Sequence, residues 1–161
     1  MPPVKNGQAC HLCAAGLRLI RKTMTRLHSY LTFNGNCREA MAFYKKCLGG
    51  NLAMQTVGES PLAARMPKQM KDCILHATLT NDQLVLMGSD MVPETGLIKG
   101  NAVSLMLDCK NEKEIKSCYK KLSAGGLATH PIETTFFGAL LGGLSDKFGN
   151  HWLLHYQKNK K

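Results

Sequence analysis

The chain states one segment twice. Phe43-Tyr-Lys-Lys-Cys-Leu-Gly-Gly-Asn-Leu-Ala53 recurs as Cys118-Tyr-Lys-Lys-Leu-Ser-Ala-Gly-Gly-Leu-Ala128, with one extra residue before the second glycine pair. Tyr44 and Tyr119 lie 75 positions apart. Each copy follows an apolar, strand-like run, Leu27–Phe33 in the first and Ala102–Leu107 in the second. Solenoid repeats return every 20–50 residues or so, which makes this period too long for one. It fits two copies of one supersecondary module, paired so that each covers what the other leaves exposed. A cleft at such a junction is a natural place for a small ligand.

Local patterns give each copy the same element order. Leu27–Phe33 mixes β-formers with polar residues in near alternation and predicts a strand. Asn34-Gly35-Asn36 predicts a turn, with Asn36 capping the helix that follows. Ala40, Phe43, Tyr44, Cys47 and Leu48 share one helical face, and Gly49-Gly50 stops that helix. Strands are expected at 51–57, Cys73–Thr80 and Gln83–Ser89, the last two joined at Asn81-Asp82. Residues 58–72, with Pro61 and Pro67, read as a loop, and Asp90–Gly100 as the linker between modules. The second copy predicts strand Ala102–Leu107 and a helix over 111–124 whose face carries Ile115, Cys118, Tyr119 and Leu122. Then come a short strand Leu127–His130, a loop over 131–137, strands at Gly138–Leu144 and Trp152–Gln157, and a turn at Asp146–Asn150. Gly142-Gly143 reads as a turn or bulge. The expected division is a basic leader 1–23, modules at 24–95 and 96–157, and a basic tail 158–161.

A net charge of +10 raises nucleic-acid binding as a question. Lys5, Arg18, Arg21 and Lys22 sit in an acid-free leader, and Lys158, Lys160 and Lys161 in the tail. Seven of the ten net charges therefore lie in the tails, and the body has no basic stripe interleaved with aromatics. Nucleic acid is not an expected partner. No apolar run of about 18 residues is present, so no membrane-spanning helix is expected. The leader's apolar stretch is broken by Gly16 and Arg18, unlike a secretory signal. The seven cysteines are odd in number and lack a disulfide spacing, which fits free thiols in a reducing cytoplasm. Cys10-His-Leu-Cys13 has a knuckle-like spacing but no second pair beside it.

The run Tyr30-Leu-Thr-Phe-Asn-Gly-Asn-Cys-Arg-Glu-Ala-Met-Ala-Phe-Tyr-Lys-Lys-Cys-Leu-Gly-Gly50 closely resembles the opening of PhnB-like proteins. These belong to the glyoxalase, bleomycin-resistance and extradiol-dioxygenase superfamily, also called vicinal oxygen chelate proteins. Leu75-His-Ala77, Leu86-Met-Gly-Ser-Asp90 and the stretch from Thr135 to Trp152 extend the resemblance over about 25–157. The resemblance implies an α+β fold of two βαβββ modules whose mixed sheets curl into an open cup. It also implies a homodimer with sites built from both modules.

Metal-dependent relatives place ligands on the first and last strand of each module. In this chain the acidic positions of those relatives fall near Val85 and Leu153, so the carboxylates are missing. His28, His151 and His155 remain as a His-only candidate set for a divalent metal. His76, on a strand face with Thr78 and Thr80, is a candidate for polar binding or acid–base work, as is His28. Tyr30, His76, Thr78, Ser104, Phe136 and Trp152 form the expected ligand-binding set. Phe136, Phe137, Phe148, Trp152 and Tyr156 also read as core packing, and Asp90 and Asp146 as backbone-bonding turn residues. The main expectation is a metal-independent small-molecule-binding protein without a cofactor. The alternative is a metal-dependent lyase, isomerase or dioxygenase using a His-based site. Methyl transfer, attached by name to some relatives, finds no glycine-rich loop for the methyl donor.

Overall fold

A computed structural model describes residues 25–82 and 84–158. The expected leader over 1–23, with Cys10 and Cys13, lies outside the described residues. The first half runs β1 (Ser29–Thr32), α1 (Cys37–Leu48), β2 (Asn51–Thr56), β3 (Ile74–Asn81) and β4 (Leu84–Ser89). The second runs β5 (Leu105–Asp108), α2 (Glu112–Leu122), β6 (Leu127–Thr134), β7 (Ala139–Ser145) and β8 (His151–Gln157). The βαβββ order is therefore duplicated. The loop over 58–72 contains two short 3-10 turns, Pro61–Ala64 and Lys68–Met70.

Each half forms its own four-stranded mixed sheet, ordered β1-β4-β3-β2 and β5-β8-β7-β6. The first strand of each half pairs parallel with the last, and the other neighbours are antiparallel. A parallel pair needs a long crossover, which the intervening helix and hairpin supply. Neither sheet closes into a barrel.

The helices cover one face of the sheets. On α1 the stripe Cys37, Ala40, Met41, Tyr44 and Cys47 is buried, and on α2 Ile115, Cys118 and Leu122. They pack on Ala77, Leu79 and Leu86 of one sheet and on Leu144, Trp152 and Leu154 of the other. All these residues belong to a single core that runs through both halves. Phe148 lies edge-on to Phe33, Phe43 and Tyr44, and Tyr44 lies 5.6 Å from Trp152 between ring centroids.

Two buried carboxylates tie the fold together. Asp146 accepts hydrogen bonds from the Tyr44 hydroxyl (2.6 Å), Trp152 Nε1 (2.8 Å) and the Phe148 and Asn150 amides. Burial, and then the Asp146 carboxylate, push the Tyr44 phenol well above its ordinary range. Asp90 accepts from the Cys37 and Ile74 amides, each at 2.9 Å. This changes one expectation. Asn36 occupies the N-cap of α1 without a side-chain cap bond, and Asp90 from the end of β4 takes over the first helical amide. Asn111 does cap α2, accepting from the Glu114 amide at 2.9 Å.

Both glycine pairs follow one logic. Gly49 and Gly125 take positive φ (75° and 76°), which ends each helix. The second glycine of each pair presses on a neighbouring strand. A Cβ on Gly50 would stand 2.3 Å from the Thr80 carbonyl oxygen, and one on Gly126 would stand 2.2 Å from that of Ser145.

Two further expectations are corrected in the second half. β6 does not end at His130 but continues to Thr134. Pro131 is tolerated because β6 is an edge strand, and the β6–β7 register shifts on either side of His130. Gly142-Gly143 is not a turn but lies inside β7, where the Tyr119 ring and Ile132 leave no room for a side chain at 142.

Candidate functional site

Strand alternation leaves each sheet one face without a helix. On the first sheet this open face runs across the strands in register, Tyr30 beside Met87, Met87 beside Thr78, Thr78 beside Ala53. His76 sits next along β3, opposite Gln55. The Tyr30 and His76 rings lie 5.9 Å apart, and His76 Nε2 is 2.9 Å from Thr78 Oγ1. The structure thus brings together three of the expected ligand-binding residues, Tyr30, His76 and Thr78. The array offers an aromatic surface, a flexible thioether and two hydrogen-bonding groups. None of the register-paired residues on this face is acidic.

The second sheet's open face carries Met106, Leu153 and Gly143 in one row and Asp108, His155, Leu141 and Glu133 in the next. His130, Glu133, Thr135, Leu141 and Leu153 line a groove of about 320 Å³ there. His155 Nδ1 donates to Asp108 at 2.7 Å, and His151 Nδ1 is 2.7 Å from Ser145 Oγ. The groove escaped sequence reasoning because β6 was cut at Pro131. The alternation Thr129, Pro131, Glu133 against His130, Ile132, Thr134 is the signal that could have found the missing strand.

The other expected site residues scatter. Ser104 is exposed in the segment entering β5. Phe136 stands fully exposed at the β6–β7 turn, edge-on to Phe137 at 4.9 Å. Trp152 faces the helices, is 3 % exposed and is a core residue rather than part of an open face. His28 lies exposed just before β1. His151 and His155 are four residues apart on β8, which at about 3.3 Å per residue separates their backbones by roughly 13 Å. One ion held at about 2 Å from each imidazole does not suit that spacing. The His28, His151 and His155 set is therefore not assembled. Among the described residues no three His, Cys, Asp or Glu side chains cluster as a metal would require. The residues present do not fit the divalent centre of metal-dependent relatives.

The duplicated βαβββ order, the 1-4-3-2 strand order of both sheets and the helix-free faces define a protein of the glyoxalase/bleomycin-resistance fold class. Residues 25–155 match the family model described as 3-demethylubiquinone-9 3-methyltransferase. The chain belongs to that family, a PhnB-like branch of the glyoxalase, bleomycin-resistance and dioxygenase superfamily. It is 31 % identical over 143 residues to protein YjdN of Escherichia coli, covering 83 % of this chain and 97 % of that one. The crystal structure of PA1353 from Pseudomonas aeruginosa is 34 % identical with a TM-score of 0.75, covering 84 % of this chain and all of that one. The PhnB protein of Bacillus cereus is 24 % identical with a TM-score of 0.65, covering 83 % and 100 %.

Proposed function

We propose that this chain is a small-molecule-binding protein that receives its ligand on the open sheet faces without a catalytic metal. One observation carries the reading: Tyr30, His76, Thr78 and Met87 converge on one face with no carboxylate among them. An aromatic surface beside an imidazole and a hydroxyl suits a small, oxygen-bearing, partly apolar ligand. The groove by Leu141 and Leu153 supplies a second apolar surface of the same kind. The family's printed description names a methyl transfer. Among the described residues no glycine-rich strand–turn–helix stands ready for a methyl donor, so binding is the better supported function.

The reading includes a cytoplasmic homodimer built from two modules, 24–95 and 96–157. Tyr30, Met106, Leu127 and Leu153 are all more than one-third exposed on the open faces. A second copy laid over them would turn each open face into a cup and remove the apolar surface from water. No described helix is long and apolar enough to cross a membrane.

Metal analysis of the purified full chain, followed by thermal-shift screening of small oxygenated aromatics, tests the proposal. Metal-free protein whose melting temperature rises with a ligand, and whose rise is lost in Tyr30→Ala and His76→Ala, is the expected result. Stoichiometric divalent metal, lost in His28→Ala, overturns it in favour of the metal-dependent reading.

A further inference from the structure

Duplication allows the two modules to be compared position by position. In the first, Phe33 at the end of β1 and Phe43 on α1 both pack on Phe148 from the β7–β8 turn, at 6.3 and 5.6 Å between centroids. The matching places in the second module hold Cys109, at the end of β5, and Cys118, on α2. The matching β3–β4 turn brings Asn81 and Asp82 in place of the phenylalanine. One junction is therefore filled by three aromatic rings. The other keeps a cavity of about 550 Å³ walled by Leu48, Asp82, Leu107, Lys110 and Cys118. Cys118 also borders a second hollow, of about 540 Å³, shared with Lys46, Lys113 and Lys121.

We propose that Cys118 and Cys109 form a peroxide-responsive dithiol, with Cys118 as attacking thiolate and Cys109 as resolving thiol. Their side chains are in hydrogen-bond contact, the Cys109 thiol donating to the Cys118 sulfur. That donor, helped by the Lys121 ammonium, holds Cys118 below the ordinary thiol range, while burial and Glu114 oppose it. Cys109 has Glu114 and Asp108 for neighbours, which favour its protonated form. The charges thus divide the roles between two otherwise similar thiols. Both sulfurs are largely buried, but the cavities on either side of Cys118 admit a molecule as small as hydrogen peroxide. A reversible bridge of this kind is the sort that persists in a reducing compartment as a sensor.

The chemistry balances. The Cys118 thiolate attacks one peroxide oxygen, an S–O bond forms, the O–O bond breaks, and the departing hydroxide takes up a proton to leave as water. Cys109 then loses its proton and attacks the Cys118 sulfenic sulfur. An S–S bond forms, the S–O bond breaks and a second water leaves. Two thiols lose two electrons and two protons, and hydrogen peroxide takes up both.

Peptide mapping decides the matter, because other cysteines, including Cys10 and Cys13, also react with thiol reagents. Trypsin places Cys109 in the peptide 100–110 and Cys118 in the peptide 117–120. Hydrogen peroxide treatment of the full chain should deplete both free peptides together. A linked pair should appear, two hydrogens lighter than their sum and reversed by dithiothreitol. In Cys109→Ser the link should vanish, and dimedone should trap a sulfenic acid at Cys118. Recovery of both wild-type peptides as free thiols overturns the proposal. So does a link from Cys118 to the nearby Cys47 or to a second chain.

Discussion

Single residues hold this fold where buried polar groups meet. The Tyr44 hydroxyl donates to Asp146 and accepts from Asn150 at 2.7 Å. Tyr44→Phe leaves a buried carboxylate one donor short, and about 1–3 kcal/mol of stability should be lost, as measured by urea unfolding. Cys37 behaves differently. Burial, with Asp90 beside it, raises its thiol to about 12 from an ordinary value of 9.0. A raised acid stabilises the fold fully below the unfolded value and loses that contribution as pH climbs toward the folded one. Stability should therefore fall between about pH 9 and 12, with this single group contributing a slope of at most about 1.4 kcal/mol per pH unit. In Cys37→Ala that part of the alkaline loss should disappear. An unchanged alkaline slope would assign the loss to other groups.

At the scale of elements, the helices were legible because their periodicity matches their burial. Tyr44, Cys47, Ile115, Cys118 and Leu122 all face the core as their spacing requires. The two glycine pairs were legible as helix stops, but only half of their reason was visible. Gly125 serves its positive φ, whereas Gly126 serves a strand that passes within 2.2 Å of where its Cβ would be. Gly125→Ala should cost roughly 1 kcal/mol for the left-handed backbone. Gly126→Ala should cost more, about 2–4 kcal/mol, because backbone rather than a flexible side chain must move. Thermal melts that rank the two variants the other way would refute the close-approach account. β6 was misread for a related reason. A proline interrupts a ladder in a central strand but not at an edge, and edge position is a property of the assembled sheet.

At the scale of the molecule, each helix needs both halves. Tyr44 of the first half finds Asp146, Phe148 and Trp152 in the second. Residues 24–95 expressed alone should therefore lack a cooperative thermal transition, while the full chain melts in one step. A cooperative melt of the isolated half would show that the shared core is dispensable. The proposed homodimer makes a second demand: sedimentation should report twice the chain mass at micromolar concentration, and a monomer there would count against the cup completed by a second copy.

The sequence by itself determined the duplication, the element order and the helical faces, because these follow from period, turn chemistry and glycine placement along the chain. It also exposed the missing carboxylates, since the acidic positions expected of metal-dependent relatives fall near Val85 and Leu153. Tertiary structure alone decided that His151 and His155 stand too far apart for one ion, that Trp152 turns inward to Asp146, and that Asp90 rather than Asn36 caps α1. Each of those outcomes depends on which strands neighbour one another and which face meets a helix. Such relations join residues 16 to 106 positions apart, and no local pattern records them.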